Sequence, residues 1–221
     1  MSDNNEQGMV TVRKRCGCCG ELYELSVAEI VPAEVRGELC DLDQRPPEPL
    51  RRAMYSQIFR CPYCGFTVGP KMRVVSEDYV LEEDYKTCEG RDLPEGTGAD
   101  YYRLGMTSEK EHDLVNSFEA FLRAAWAFDD AGDDVNAKKC RDRCIEMNTA
   151  LPGKNSYDWL VRADIFRRAG RFAEFPDDIK NAHYPDGLTN MIMKFQSEKA
   201  AEGDTKAYKM KDCFDRFSKE K

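Results

Sequence analysis

The chain has 221 residues, a net charge of −8 and 41% hydrophobic residues. That is enough for one domain with a sizeable core or two small ones, and a soluble, folded protein is expected rather than a disordered one. The longest nearly apolar run, Ala120 to Phe128, is too short to span a bilayer and carries Arg123, which excludes a transmembrane helix.

Ten cysteines follow a start, Met1 to Gln7, that lacks the basic-then-apolar pattern of a secretory signal. A reducing, cytoplasmic location is therefore expected, where cysteines bind metal or pack in cores rather than pair. Residues 1–75 contain ten Lys/Arg and ten Asp/Glu, so the whole negative balance lies after residue 75. Phosphate recognition needs a positive footprint. The basic clusters Arg13-Lys14-Arg15, Arg51-Arg52 and Arg60 keep a nucleic-acid-binding ribbon as a lesser alternative, which the acidic second half disfavours.

In chain order, residues 1–10 are expected to be a flexible tail. Val10 to Arg15 predicts a short strand entering Cys16-Gly17-Cys18-Cys19-Gly20, and Glu21 to Leu25 a return strand. Ser26 and Glu29 fit a capping box, predicting a helical turn limited by Pro32. Asp41 to Pro49 has three prolines in four positions at its end, which excludes a regular helix or central strand and predicts an extended surface connector, with a proline-rich docking ligand as the alternative. Leu50 to Phe59 predicts a short helix or a strand feeding a second turn, Cys61-Pro62-Tyr63-Cys64-Gly65, and Phe66-Thr67-Val68 the strand that leaves it before Gly69-Pro70.

Both turns have the form Cys-x-x-Cys-Gly. Each points two thiolates at one ion, and together they offer the four soft ligands of a closed tetrahedral zinc site: Cys16, Cys19, Cys61 and Cys64. Gly17 and Gly20 are expected to let backbone amides turn toward the sulfurs. The interval from Cys19 to Cys61 exceeds that of a compact ribbon and encloses an insertion. Cys18 and Cys40 are expected to be bystanders, with ligation or redox chemistry as alternatives. Four thiolates bind iron as well as zinc.

Residues 76–107 predict a linker: an acidic helix over Ser76–Cys88 with a solvated face, then a Gly-rich loop over Glu89–Ala99 as the boundary between halves. Ser108 and Glu111 form a second capping box, predicting a helix whose inward residues include Leu114, Val115, Phe118, Phe121, Leu122, Ala125, Trp126 and Phe128, with a stop at Gly132. A second helix is predicted from Asp133 to about Asn148, with Val135, Cys140, Cys144, Ile145 and Met147 inward, closed by Pro152-Gly153. Trp159, Ala163, Phe166 and Gly170 then stand at the offsets of Phe121, Ala125, Phe128 and Gly132. Large, small, aromatic and glycine at these intervals is the tetratricopeptide signature, here with an insertion in the repeat. Phe175 and Pro176 shorten or displace the next helix. A last pair, Leu188 to Ala201 and Asp204 to Phe217, is hinged at Gly203.

The expected fold is thus α+β and mainly α: a zinc-ribbon-like module over 11–75, the linker over 76–107, and tetratricopeptide-like hairpins over 108–221. Such stacks present a face to a peptide or protein; a plain bundle without a binding face is the alternative. His112, expected in the first turn of the helix after Ser108, and His183, expected in a loop, form no metal motif with one another, and no phosphate-binding loop or nucleophile elbow occurs. The acid pairs Glu82-Glu83 and Asp133-Asp134 are expected as helix-surface or first-turn charges. No catalytic residue is therefore expected. The expected role is protein binding or scaffolding, with a thiol redox switch that releases zinc as the rival. Cys140 and Cys144, one helical turn apart, are expected to be buried rather than to join that chemistry.

The order Cys16-x-x-Cys19-Gly, Leu42-Asp43-x-Arg45-Pro46-Pro47, Cys61-Pro62-x-Cys64-Gly65-Phe66, Leu122-Arg123-Ala124-Ala125-Trp126 and Phe166-Arg167-Arg168-x-Gly170 resembles the bacterial family called domain of unknown function 2225. That resemblance covers roughly residues 12–200. It implies two Cys-x-x-Cys knuckles followed by tetratricopeptide-like helices, and no activity.

Overall fold

A computed structural model describes residues 9–28, 39–71, 73–147, 156–174 and 187–218. The fold is mainly α-helical with small antiparallel sheets. By contacts the chain divides into two units. The first comprises 1–34 and 48–127, the second 35–47 and 128–221.

In the first unit, strands β1 (Met9–Arg15) and β2 (Leu22–Ala28) pair antiparallel, with Lys14 opposite Tyr23 and Arg15 opposite Leu22. Ser26 lies within β2, so it does not cap a helix: cross-strand pairing with Thr11 claims its backbone. Glu29 and Pro32 fall outside the described residues. Helix α1 (Leu50–Tyr55) leads to β3 (Phe59–Arg60), which pairs with β4 (Thr67–Val68). Strands this short cannot bury a core of their own.

Their support comes from residues expected to form a linker. Helices α2 (Glu77–Leu81) and α3 (Glu83–Thr87) keep the solvated acidic face expected of the stretch, at Glu77, Asp78, Glu82, Glu83 and Asp84, and bury Tyr79, Val80 and Tyr85 on the other. Helix α4 (Thr97–Lys110) occupies the last third of the expected linker, after a loop over 88–96, and its middle is buried nearly all round. The Thr67 amide donates to the Tyr85 hydroxyl at 2.9 Å. Arg103 donates to the Lys86 carbonyl at 3.0 Å and pairs with Glu95 at 2.9 Å. At Gly105 an added Cβ would sit 2.6 Å from the Phe121 ring, so a glycine is what lets α4 approach α5 (Leu114–Asp130) closely.

Helix α5 does not start from Ser108, which lies inside α4 with its hydroxyl donating to the Leu104 carbonyl. Asp113 caps it instead: the Asn116 amide donates to its carboxylate at 3.4 Å and the Asn116 side chain at 2.6 Å. His112 sits in the turn before the cap at φ 60° and is exposed, not in the helix. Asp133 repeats the device with Asn136 before α6 (Asp134–Met147). Val115 and Val135, expected inward, are 51% and 69% exposed, because the cap fixes the helix phase and turns its second residue to solvent.

The second unit packs α7 (Ser156–Arg168), α8 (Gly187–Ala201) and α9 (Met210–Ser218) around Ala163, Phe166, Ile192, Phe195 and Cys213. The last helix starts at Met210, later than expected from Asp204, because Asp204 to Tyr208 spends its backbone elsewhere: the Asp204 and Lys206 carbonyls accept from Arg167. Pro152-Gly153, Phe175, Pro176 and His183 lie outside the described residues.

Residues 41–47 are not a surface connector. Leu42 is fully buried in the α7–α8 cluster, its amide donating to the Tyr208 carbonyl at 2.9 Å. Asp41, Asp43 and Arg45 are buried with it. Arg45 pairs with Asp41 at 2.6 Å and Asp130 at 3.0 Å. Asp129 accepts two hydrogen bonds from Arg168, at 2.8 and 2.9 Å, and two from Arg141. A second buried group joins Arg167, Asp164 and Gln196. Burial is tolerable because the charges neutralise one another at hydrogen-bonding distance.

Candidate metal centre

The two Cys-x-x-Cys-Gly turns fold alike. In the first, the Cys16 amide donates to the Glu21 carbonyl at 2.8 Å and the Gly20 amide to the Cys16 carbonyl at 3.1 Å. In the second, the Cys61 amide donates to the Phe66 carbonyl at 2.8 Å and the Gly65 amide to the Cys61 carbonyl at 3.0 Å. Gly20 and Gly65 adopt φ of 75° and 78°, the left-handed conformation that favours glycine. Gly17 has a different reason to be glycine. A Cβ there would fall 2.0 Å from the Arg73 carbonyl oxygen, where residues 73–75 cross the knuckle and the Val75 amide donates to the Gly17 carbonyl.

The structure brings together all four sulfurs expected from the sequence. Those of Cys16, Cys19, Cys61 and Cys64 lie within 4.8 Å of one another. Cys16–Cys64 is 3.6 Å and Cys19–Cys61 is 3.8 Å. These are opposite edges of one tetrahedron, and four sulfurs each about 2.3 Å from a zinc ion would stand about 3.8 Å apart. Disulfides need about 2.05 Å, so the spacing fits ligation and not pairing; none of the ten cysteines is in a disulfide. The donor set could hold a metal ion and, with four protein ligands, leaves no open coordination position.

The environment prepares these sulfurs to be anionic only as a group. Burial pushes Cys16 up to about 12, against amide donors from Cys18 and Cys19. Burial likewise takes Cys64 up to about 12. At Cys61 burial also acts upward, but the amides of Cys64 and Tyr63 and the neighbouring thiols outweigh it and lower the pKa. Tyr23, buried against the centre, is raised to about 12, first by burial and then by the four sulfurs. A dication offsets all of these costs at once.

Cys18 and Cys40 stand outside the tetrahedral group. The Cys18 amide donates to the Cys16 sulfur at 3.4 Å, while its own thiol points to the Ser76 carbonyl at 3.9 Å. Cys40 belongs to the second unit, where its carbonyl accepts from the Met210 amide. Cys140 and Cys144 are buried. Beside the second knuckle an open cleft of about 580 Å³ is lined by Cys61, Cys64, Tyr63, Arg60, Lys86 and Arg103 among others. Among the described residues, no other set of His, Cys, Asp or Glu side chains is grouped to hold a metal, and no helix is long and apolar enough to cross a membrane.

The supporting residues were the less visible part of this site in the sequence. Tyr85 and Glu95 hold the second knuckle's strand and arginine from 18 and 35 residues away, and Arg103 in turn donates to both of them. Their signal was the density of tyrosines and charges in 79–103, which is unusual for a linker. No protein-family model matches the chain, and neither a curated protein nor a solved structure does.

Proposed function

We propose that this chain is a non-enzymatic zinc-binding protein whose four-thiolate centre is structural and whose helical second half binds a protein or peptide. The observation that carries the first clause is the tetrahedral spacing of the Cys16, Cys19, Cys61 and Cys64 sulfurs, close to that of a zinc tetrathiolate. A closed site supplies folding energy rather than a substrate position. A zinc-ribbon kinship for the two knuckles rests on their matching backbone turns.

Tetratricopeptide-like packing is supported by the equivalent roles of the repeated residues. Ala125 and Ala163 are both fully buried, Phe128 and Phe166 are both 5% exposed, and Gly132 and Gly170 both end their helices at φ 72°. Kinship with the domain of unknown function 2225 family is proposed on the same motif order. Cytoplasmic residence is proposed from ten cysteines held as thiols rather than disulfides.

Elemental analysis of the full chain purified without added metal, for wild type and Cys64→Ser, tests the metal reading. One zinc per chain in wild type, lost in the variant, is expected. Iron in its place would recast the protein as a candidate electron carrier, and no metal would overturn the reading. For the binding face, capture of RNA that survives physiological salt would favour the nucleic-acid alternative over a protein partner.

A further inference from the structure

We propose that Cys64 and Cys16 form a peroxide-driven modification site: a disulfide between them, joining the two knuckles, opens the four-thiolate centre. The proposal rests on the metal-binding reading of the four ligands and adds a means of regulating them. The four sulfurs are not equivalent. Cys16 and Cys61 are buried, whereas Cys19 and Cys64 are partly exposed. Each outer sulfur lies close to the inner sulfur of the other knuckle: Cys64 is 3.6 Å from Cys16, and Cys19 is 3.8 Å from Cys61. Of the two outer residues, Cys64 lines the open cleft of about 580 Å³ and Cys19 does not. Three cations, Arg60, Lys86 and Arg103, line that cleft against one carboxylate, Glu95. Reactive cysteines are those partly exposed in positive surroundings. A small oxidant therefore meets Cys64 first, with Cys16 behind it at the shorter of the two crossed distances.

The Cys64 thiolate attacks one oxygen of hydrogen peroxide. The S–O bond forms, the O–O bond breaks, and Cys64 sulfenic acid and hydroxide result. The Cys16 thiolate then attacks the Cys64 sulfur. The S–S bond forms as the S–O bond breaks, and the hydroxyl group leaves as a second hydroxide. Each sulfur gives up one electron, and the peroxide accepts both. A coordinated thiolate keeps lone pairs beyond the one it donates, so Cys16 can attack from its ligand position. Cys19 and Cys61 are then the thiolates left in the set, too few to close a tetrahedral site. The new bond ties the turn between β1 and β2 to the turn between β3 and β4. The knuckles therefore stay together, and a dithiol reductant restores all four ligands.

The test uses the full chain loaded with zinc, its stoichiometry measured first, then treated with one equivalent of hydrogen peroxide. Zinc release is followed with a chromophoric chelator, sulfenic acid is trapped with dimedone in a parallel sample, and disulfides are mapped by mass spectrometry. Trypsin places Cys16, Cys18 and Cys19 on one peptide, 16–36, and Cys61 and Cys64 on another, 61–71. A link between these peptides separates a crossed bond from a bond within one knuckle, and fragmentation assigns the sulfurs. One Cys16–Cys64 disulfide per zinc released is expected, with the first dimedone adduct on Cys64 and the same release rate from Cys18→Ser as from wild type. A bond within one knuckle, a Cys19–Cys61 or Cys18–Cys64 bond, a first adduct on any other cysteine, or zinc retained after the Cys16–Cys64 link forms would overturn the proposal. If wild type carries no metal, the metal reading fails by itself. Mapping of the metal-free chain then still decides the pair: a Cys16–Cys64 link upholds the modification site and its absence refutes it.

Discussion

The two units reach a stable interior by opposite means. The first assembles two-residue and seven-residue strands with α1–α4 and most of α5, and gathers four sulfurs at its knuckles, with glycines at Gly17 and Gly105 where chain segments touch. The second has longer helices and an aromatic–aliphatic cluster, yet it buries a set of ion pairs centred on Asp129. The contrast shows two currencies of fold specificity. Coordination supplies energy where apolar area is scarce. Buried charge supplies little net energy but penalises any arrangement that leaves it unpaired.

Metal removal should separate the two most sharply. Structural zinc sites are worth roughly 10–16 kcal/mol in small domains near neutral pH. Chelation, or Cys64→Ser, is expected to unfold the knuckles and the strands β1–β4, while amides of α7 and α8 keep their hydrogen-exchange protection. Equal loss of protection in both units would show that they share one folding transition.

The converse experiment is Asp129→Ala. It leaves Arg141 and Arg168 buried without their bidentate partner, at a cost of about 3–5 kcal/mol. The second unit should melt earlier, with zinc content unchanged. Leu42→Ala, at a fully buried site in the same unit, should cost about 2–4 kcal/mol in denaturant unfolding; a cost near zero would restore residues 41–47 to the role of a surface connector. In the first unit, Gly17→Ala forces a Cβ against the Arg73 carbonyl and should cost about 1–3 kcal/mol. Its readout is weaker zinc retention in a chelator competition, an effect that Asp129→Ala should lack.

How far these features were legible follows from where their causes lie. The ligands were readable because Cys-x-x-Cys-Gly is a local device, complete within five residues. The stops at Gly132, Gly170 and Gly203 were readable for the same reason, and all three have φ near 70°. Helix α4 was hidden because Tyr101, Tyr102, Leu104, Met106 and even Arg103 are all buried, which erases the one-sided periodicity that marks a surface helix. Segment 41–47 was hidden because its partner Asp130 lies 85 residues beyond Arg45, so its charges looked solvated. The caps at Asp113 and Asp133 had a legible signal after all. Asp-x-Val-Asn occurs at both, and its recurrence marks the helix starts better than the Ser108–Glu111 pair did.

The smallest expected effect concerns pH and again distinguishes the units' interiors. Burial, with Asp164 nearby, raises Asp43 to about 6, against the attraction of Arg168, Arg141 and Arg45. A folded pKa above the unfolded value means that stability is fully present below about pH 4 and is lost as pH rises through about 6. Asp129 works the other way: its arginines outweigh burial and lower its pKa, so its contribution is present above about pH 4 and is lost as pH falls. Wild-type stability therefore falls away on both sides of about pH 4, below it through Asp129 and above it through Asp43. Asp43→Asn keeps a side-chain carbonyl to accept from the Arg45 amide and removes the second of these losses. Denaturant unfolding followed by the second unit's signals should show the variant gaining about 1–2 kcal/mol relative to wild type between pH 4 and 7. Parallel pH profiles would mean that Asp43 ionises as readily in the fold as in the unfolded chain, with Arg168 fully offsetting its burial.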